Sequence, residues 1–247
     1  MEVNEIMSKI IILGATGSLG RHVVQQAVAA KHDVSVLTRS LPVAPAEIPE
    51  GVVVHQGDLT TMSTSALAAI FRNHEVVINA AGNVAQGKVF VELVDHIVAS
   101  LELIPEAERP VCWFLAGLGL LDIDGRGRKG VDLPTIGETY WPHRSNFDRI
   151  RKTNLDWRIL CPGPMVDERP LGLTRLRIAL DRLPLEIPDE IQSVPDSSAL
   201  RFLSSHMSEL VVPYPDAAAL MLANIARDGE MSRHRVGLAR PPKGYTR

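Results

Sequence analysis

Residues Lys9–Ala30 read KIIILGATGSLGRHVVQQAVAA: an apolar run, three glycines spaced by three, then an amphipathic run. No other stretch limits the fold as much. A strand apolar along its whole length needs cover on both faces, which a sheet with one wet face does not provide. A helix that starts directly after the glycine turn runs back over the sheet, so the next strand lies parallel to the first.

The same alternation continues along the chain. Strand-like runs fall at Lys9–Leu13, Asp33–Leu37, Val52–Gln56, Glu75–Asn79, Pro110–Ala116 and Trp157–Leu160, with helical periodicity at Leu19–Ala30, Met62–Asn73, Gln86–Ile104 and Pro142–Thr153. Short buried strands alternating with amphipathic helices predict an α/β fold, a doubly wound parallel sheet of the Rossmann type. After Pro162 the pattern weakens, and prolines 164, 170, 184, 188, 195, 213 and 215 interrupt it. One helix is expected there at Thr174–Leu183, then a last helix at Asp216–Arg227 with Asp216 as N-cap, and a closing strand near His234–Ala239. The expected organisation is a flexible tail at residues 1–8 and one domain over 9–247, with a small irregular C-terminal region, residues 163–215, contributing the substrate pocket.

Composition excludes several classes. The formal net charge of -3 gives no basic field for nucleic acid. No apolar run approaches the roughly 20 residues of a membrane helix. The opening MEVNEIMSK is acidic and lacks the basic start of a secretory signal. The two cysteines, Cys112 and Cys161, sit in apolar runs without metal-type spacing, so neither a disulfide framework nor a metal is expected. The reading is a cytoplasmic monomer or homodimer acting on a small molecule, without nucleic-acid or membrane partners.

Ligands of such sheets lie beyond the carboxyl ends of the strands. At the first strand end, Gly14 allows a sharp turn, Gly17 lets backbone amides approach a pyrophosphate, and Gly20 lets the helix pack closely. Thr16, Ser18 and Leu19 supply further backbone at the helix start. The second strand ends in VLTRS, where an NAD site usually carries an acid for the ribose. Arg39 stands there instead and offers a forked cation for a 2′-phosphate, with Thr38 and Ser40 as hydroxyl donors. NADP(H) is therefore favoured over NAD(H). Arg21 either adds charge to that region or is a surface residue. In HQGDL, Asp58 either accepts from an adenine amino group, with Leu59 beside the ring, or caps the turn. Ala80, Ala81 and Gly82 are small enough for a cofactor to lie against the fourth strand end.

Taken together, GATGSLGRHVV, LTRS, GDLTT, VVINAAG, NLDWRILCPGPMVD and YPDAAALMLANI resemble the atypical short-chain dehydrogenase/reductase superfamily, and within it the NmrA-like and biliverdin-reductase-B-like NAD(P)H-binding group. The resemblance implies a cofactor at the C-terminal edge of the sheet and a pocket shaped by the proline-rich part. It also implies that Cys161–Met165, including Pro162 and Gly163, lies beside the nicotinamide. Typical members carry a Tyr-x-x-x-Lys pair and a nearby serine. Here Ala116, Gly117 and Gly119 stand at the serine's place, and Thr139 and His143 hold the tyrosine and lysine register. Tyr140 is one residue out of register, although Tyr140 and Arg144 imitate the spacing. His143 can donate a proton, hold the ribose or bond a carbonyl at a helix start. Tyr140 can polarise a carbonyl or line the pocket. Asn146 either orients substrate or sits on the surface.

These residues describe an NADP(H)-dependent oxidoreductase that reduces a small or medium apolar carbonyl, quinone or conjugated substrate. A non-catalytic NADP(H)-binding sensor of the NmrA-like type is the second reading, and an NAD(P)-dependent epimerase or isomerase the third.

Overall fold

The computed structural model describes residues 7–39, 48–187 and 195–242. Its first strand, β1 (Lys9–Leu13), shows why the opening run is apolar throughout. Ile10 and Ile12 enter one hydrophobic cluster, Ile11 and Leu13 the other, and all four are fully buried. Successive side chains of a strand point to opposite faces, so a central strand covered by helices on both sides has no polar position to offer.

Around β1 the chain builds α1 (Ser18–Ala29), β2 (Asp33–Thr38), β3 (Val53–Gln56), α2 (Thr64–Phe71), β4 (Val76–Asn79), α3 (Lys88–Glu102), β5 (Val111–Leu115), α4 (Pro134–Ile150) and β6 (Asp156–Leu160). Then follow β7 (Met165–Val166), β8 (Arg177–Leu180), α5 (Asp196–Ser205), α6 (Met207–Leu210), β9 (Val212–Pro213), α7 (Tyr214–Leu222) and β10 (Arg235–Ala239). The main sheet has eight strands in the order β3-β2-β1-β4-β5-β6-β10-β8, parallel except for the β10–β8 pair. Val23, Val24 and Ala27 of α1 and Ala217 and Met221 of α7 bury one face. Phe71 of α2, Ile97 and Leu101 of α3 and Ile150 of α4 bury the other. The doubly wound Rossmann fold is thus present.

Strand order reverses between β1 and β4, the topological switch point at which the strand ends diverge and leave a crevice. Ser63 stops α2 at its N-terminus, its hydroxyl accepting from the Ala66 amide at 3.2 Å.

Three sequence expectations change here. Thr174–Leu183 is not a helix: a single 3-10 turn at Leu173–Arg175 leads into β8, which pairs antiparallel with β10. Leu173, Leu176, Leu180 and Leu183 have helical spacing, but Leu176, Ile178 and Leu180 also alternate, and the open edge of β10 selects the strand. Asp216 is not an N-cap, since α7 starts at Tyr214 behind Pro213. Its buried carboxylate instead accepts from the amides of Leu171 and Gly172, at 2.8 and 2.9 Å. The helix expected from Pro142 starts about two turns earlier, at Pro134, and bends at Tyr140 (φ -107°, ψ 15°). Pro142 has no amide hydrogen to complete the ladder, and its ring crowds the preceding turn.

Of the expected tail, residues 1–6 lie outside the described residues. Ser8 is tied to the fold, its amide donating to His32 Nδ1 at 3.3 Å and its carbonyl accepting from the Asp33 amide. Among the described residues no helix is long and apolar enough to cross a membrane, and no group of His, Cys, Asp and Glu side chains is placed to hold a metal ion.

Candidate functional site

The C-terminal ends of β1, β2, β3 and β4 enclose a cleft of about 360 Å³ at the switch point. Its walls come from Gly14–Gly17, Leu37–Arg39, Gly57–Thr60 and Ala80–Gly82, with Gln86, Val89 and Leu93 closing it from the α3 side. Each of these four wall segments lies at or directly after the end of a strand.

The glycines are required sterically. Gly14 has φ +77°, and a Cβ there would lie 2.7 Å from the Ala80 carbonyl carbon and the Ala81 amide nitrogen. A Cβ on Gly20 would lie 2.0 Å from the Gly14 carbonyl oxygen. Gly20 therefore seats α1 against the turn and does not itself line the cleft. Gly17 is the residue before α1 and brings no side-chain cap to the helix start, so the amides there remain for an external acceptor. Ser18 is exposed at the first turn of α1, while the Leu19 side chain is buried in the core, so only its backbone faces the turn.

Arg39 is exposed on the cleft wall at the end of β2, and no carboxylate follows β2 among the described residues of that wall except Asp58. Ser40 lies outside the described residues. Arg21 does not join Arg39: it pairs with Asp167, which His22 also approaches at 3.4 Å. Asp58 lines the cleft and makes the turn at once. Its Oδ1 accepts from the Thr60 hydroxyl and amide, at 2.6 and 2.8 Å. These two bonds, side chain before backbone, hold its carboxyl below the usual range, and the Arg39 charge adds to the effect. Ala80, Ala81 and Gly82 form the opposite wall, with the Asn79 Oδ1 accepting from the Ala81 amide at 3.0 Å to fix the turn.

Pro162, Gly163, His143 and Tyr140 do not line this cleft; they gather beside it at the ends of β5 and β6. The Pro162 carbonyl accepts from the Leu118 amide at 2.8 Å. A Cβ on Gly163 would lie 2.3 Å from the Leu210 carbonyl oxygen, so this glycine packs the C-terminal part onto the sheet. His143 is buried, with Nε2 3.3 Å from the point where a Gly117 Cβ would stand. Glycine at the usual serine position thus makes room for the imidazole. The ring meets Phe90 edge-on at 5.7 Å and stacks on Tyr140 at 6.1 Å with an interplanar angle of 7°. Phe90 in turn lies under Gly82, a cleft residue, which joins the two regions.

Burial alone lowers the His143 pKa to about 4, so the imidazole is neutral at pH 7. That removes an imidazolium proton donor and leaves a hydrogen-bonding ring. Tyr140 sits at the bend of α4, 41% exposed beside Trp141 at 43%. Asn146 is buried, which overturns the surface position that the sequence favoured for it. Sequence reasoning did not single out Gln86, Val89 and Leu93. Their signal was the helical periodicity of α3, which reads as core packing. The loop carrying Arg128 and Lys129 is ion-paired with Asp124, Asp196 and Asp122 and lies away from the cleft wall.

A switch-point cleft with a glycine turn, an uncapped helix start and small residues opposite defines a dinucleotide-binding Rossmann protein. The chain belongs to the NAD(P)H-binding family whose sequence profile matches residues 14–184. No curated protein sequence matches it. Among solved structures it is similar to a Rossmann-fold NAD(P)-binding family protein from Shigella flexneri, with a TM-score of 0.65 and 18% identity, covering 98% of each chain. A short-chain dehydrogenase/reductase from Veillonella parvula in complex with NADP gives a TM-score of 0.64 and 18% identity, over 97% of this chain and 98% of that one. An oxidoreductase from Lactococcus lactis gives 0.65 and 16%, over 94% and 90%. At these identities the similarity shows the fold.

Proposed function

We propose that this NAD(P)H-binding protein is an NADP(H)-dependent oxidoreductase that reduces a small or medium apolar carbonyl, quinone or conjugated compound. The observation that carries the cofactor preference is Arg39 on the cleft wall at the end of β2, where an NAD site would place an acid. In this reading Gly14, Thr16, Gly17 and the backbone of Ser18, Leu19 and Gly20 hold the pyrophosphate. Arg39 meets the 2′-phosphate, Asp58 and Leu59 border the adenine, and Ala80, Ala81 and Gly82 lie along the inner ribose. Pro162 and Gly163 flank the nicotinamide, and residues 163–215 complete the substrate pocket.

When bound, the cofactor supplies a hydride to the acceptor. A carbonyl that gains a hydride also needs one proton, and solvent water can provide it where no acid is placed. The protein's contribution is orientation: Tyr140 and His143 border the acceptor's position, and the apolar surroundings exclude competing reactions. A cytoplasmic monomer or homodimer fits this role.

The test is oxidation of NADPH, followed at 340 nm, against a panel of quinones, flavins and aldehydes. Turnover above background with at least one compound is expected; cofactor binding without turnover on any of them would contradict it. That contrary result would favour a sensor of the NmrA-like type, a reading supported by the neutral His143 and by Thr139 at the usual tyrosine position.

A further inference from the structure

A second cavity, of about 460 Å³, opens at the amino ends of the strands, on the sheet edge opposite the glycine turn. Ser8 stands directly before β1, Glu75 and Val76 open β4, and Val111 opens β5. Arg72 comes from the end of α2, Arg109 follows the 3-10 turn Glu106–Glu108, and Arg227 lies in the loop after α7.

Three arginines therefore line one cavity together with two carboxylates, and both carboxylates are engaged. Glu108 pairs with Arg72, and Glu75 accepts from the Lys9 amide at 2.9 Å. Arg109 and Arg227 meet only backbone carbonyls among the described residues. Arg109 donates to Ile104 and Glu102, at 2.9 and 3.1 Å, and Arg227 donates to the carbonyl of Arg109 itself. Carbonyl oxygens fix a guanidinium in place without neutralising it. Each has five N–H donors, so both side chains keep some for another acceptor. His74, on the same wall, adds no charge at pH 7, because burial holds its pKa below the ordinary value. Val76, Val111 and Ile225 supply apolar surface beside the two cations.

We propose that this cavity is a second binding site, separate from the cofactor cleft, which takes the phosphate head of a small organic phosphomonoester on Arg109 and Arg227. Such a head carries a charge of about −1.5 to −2 at pH 7 and three acceptor oxygens, which suits two forked cations better than a monocarboxylate does. The volume falls within the roughly 300–1,000 Å³ of small-molecule pockets, so the organic body has room along Val76, Val111 and Ile225. Strand β4 runs from this cavity to the cleft, so the two sites do not overlap and fill independently. The assignment does not depend on the oxidoreductase reading.

The probes are phenyl phosphate, benzoate as a monoanion and benzyl alcohol as a neutral analogue. The full chain, saturated with NADP+ to fill the cleft, is titrated with each by calorimetry, and backbone amide spectra locate the probe. Phenyl phosphate is expected to shift the Arg109, Ala226 and Arg227 amides and to leave Gly14 and Gly17 in place. Benzoate should bind about tenfold more weakly or worse, and benzyl alcohol not at all. Arg227→Gln, at an exposed position, is expected to weaken phenyl phosphate about tenfold or more, with NADPH affinity and melting temperature retained. Absence of phenyl phosphate binding to the parent overturns the site, whatever the variant does. So do shifts confined to the Gly14–Gly17 turn, which would return the phosphate to the cofactor cleft. Equal affinity for benzoate, or full phenyl phosphate affinity in Arg227→Gln, overturns it as well. If NADP+ fails to bind while phenyl phosphate still shifts Arg109 and Arg227, the cofactor reading fails and this site stands.

Discussion

Gly14 shows how much a single residue can decide. With φ at +77° and a built Cβ 2.7 Å from the Ala80–Ala81 peptide, Gly14→Ala combines left-handed strain with a backbone clash. The expected cost is about 1–3 kcal/mol of stability, together with loss of cofactor binding. Thermal unfolding and NADPH fluorescence titration check both, and an alanine variant that melts and binds like the parent would contradict the steric argument. His143 makes a prediction of opposite kind. Its folded-state pKa of about 4 lies below the ordinary histidine value of 6.5, so between these values the unfolded chain binds the extra proton. Its contribution to stability is therefore full above about pH 6.5 and is lost as pH falls toward 4, on the order of 3 kcal/mol in all. Urea unfolding of the parent and of His143→Gln across that window should show a steeper loss in the parent; parallel curves would exclude a buried neutral imidazole. The glycine's role was legible in sequence because strand, turn and helix surround it. The state of His143 was not, because its burial depends on Gly117 and Phe90, which come from two other parts of the chain.

At the scale of elements, the chain reads well where packing is repetitive and badly where it is singular. The parallel strands β1, β2, β4, β5 and β6 follow from apolar runs, since each is covered on two faces, whereas β3 lies at the sheet edge with no buried residue. Strand β8 did not, because its four residues fit helical and alternating spacing equally, and the pairing with β10 that decides between them is 60 residues distant in sequence, as Leu180 opposite Val236 illustrates to within a few residues. The bend in α4 was half legible: Pro142 announces it, but the turn before the proline has poor helix formers. The C-terminal elements depend on single polar anchors. Asp216 in α7 accepts two amides of the loop at Leu171 and Gly172 while 99% buried, so Asp216→Ala leaves two donors unpaired. It should cost about 2–4 kcal/mol and loosen the loop ahead of β8. Hydrogen exchange at Leu171 and Gly172 is the direct check, and unchanged protection there would show that the carboxylate does not hold the loop.

For the whole molecule, a doubly wound sheet opens a ligand crevice at the reversal of strand order, and the ends of four strands, β1 to β4, meet there. The cleft was legible because its residues follow strands that the sequence marks clearly. The region around His143 was less legible, because it is assembled from α3, α4 and the ends of β5 and β6, none of which carries a contiguous motif. A ligand that binds only the folded chain stabilises it in proportion to the logarithm of its concentration over Kd, so NADPH at a hundredfold excess over Kd should add about 2.7 kcal/mol. The most direct measurement is calorimetric titration of NADPH and NADH into the parent chain and into Arg39→Asp. NADPH should bind the parent at least tenfold more tightly than NADH, and the substitution should abolish that preference by weakening NADPH. Equal affinity for the two cofactors in the parent, or an NADPH affinity untouched by Arg39→Asp, would contradict the placement of the 2′-phosphate at the end of β2.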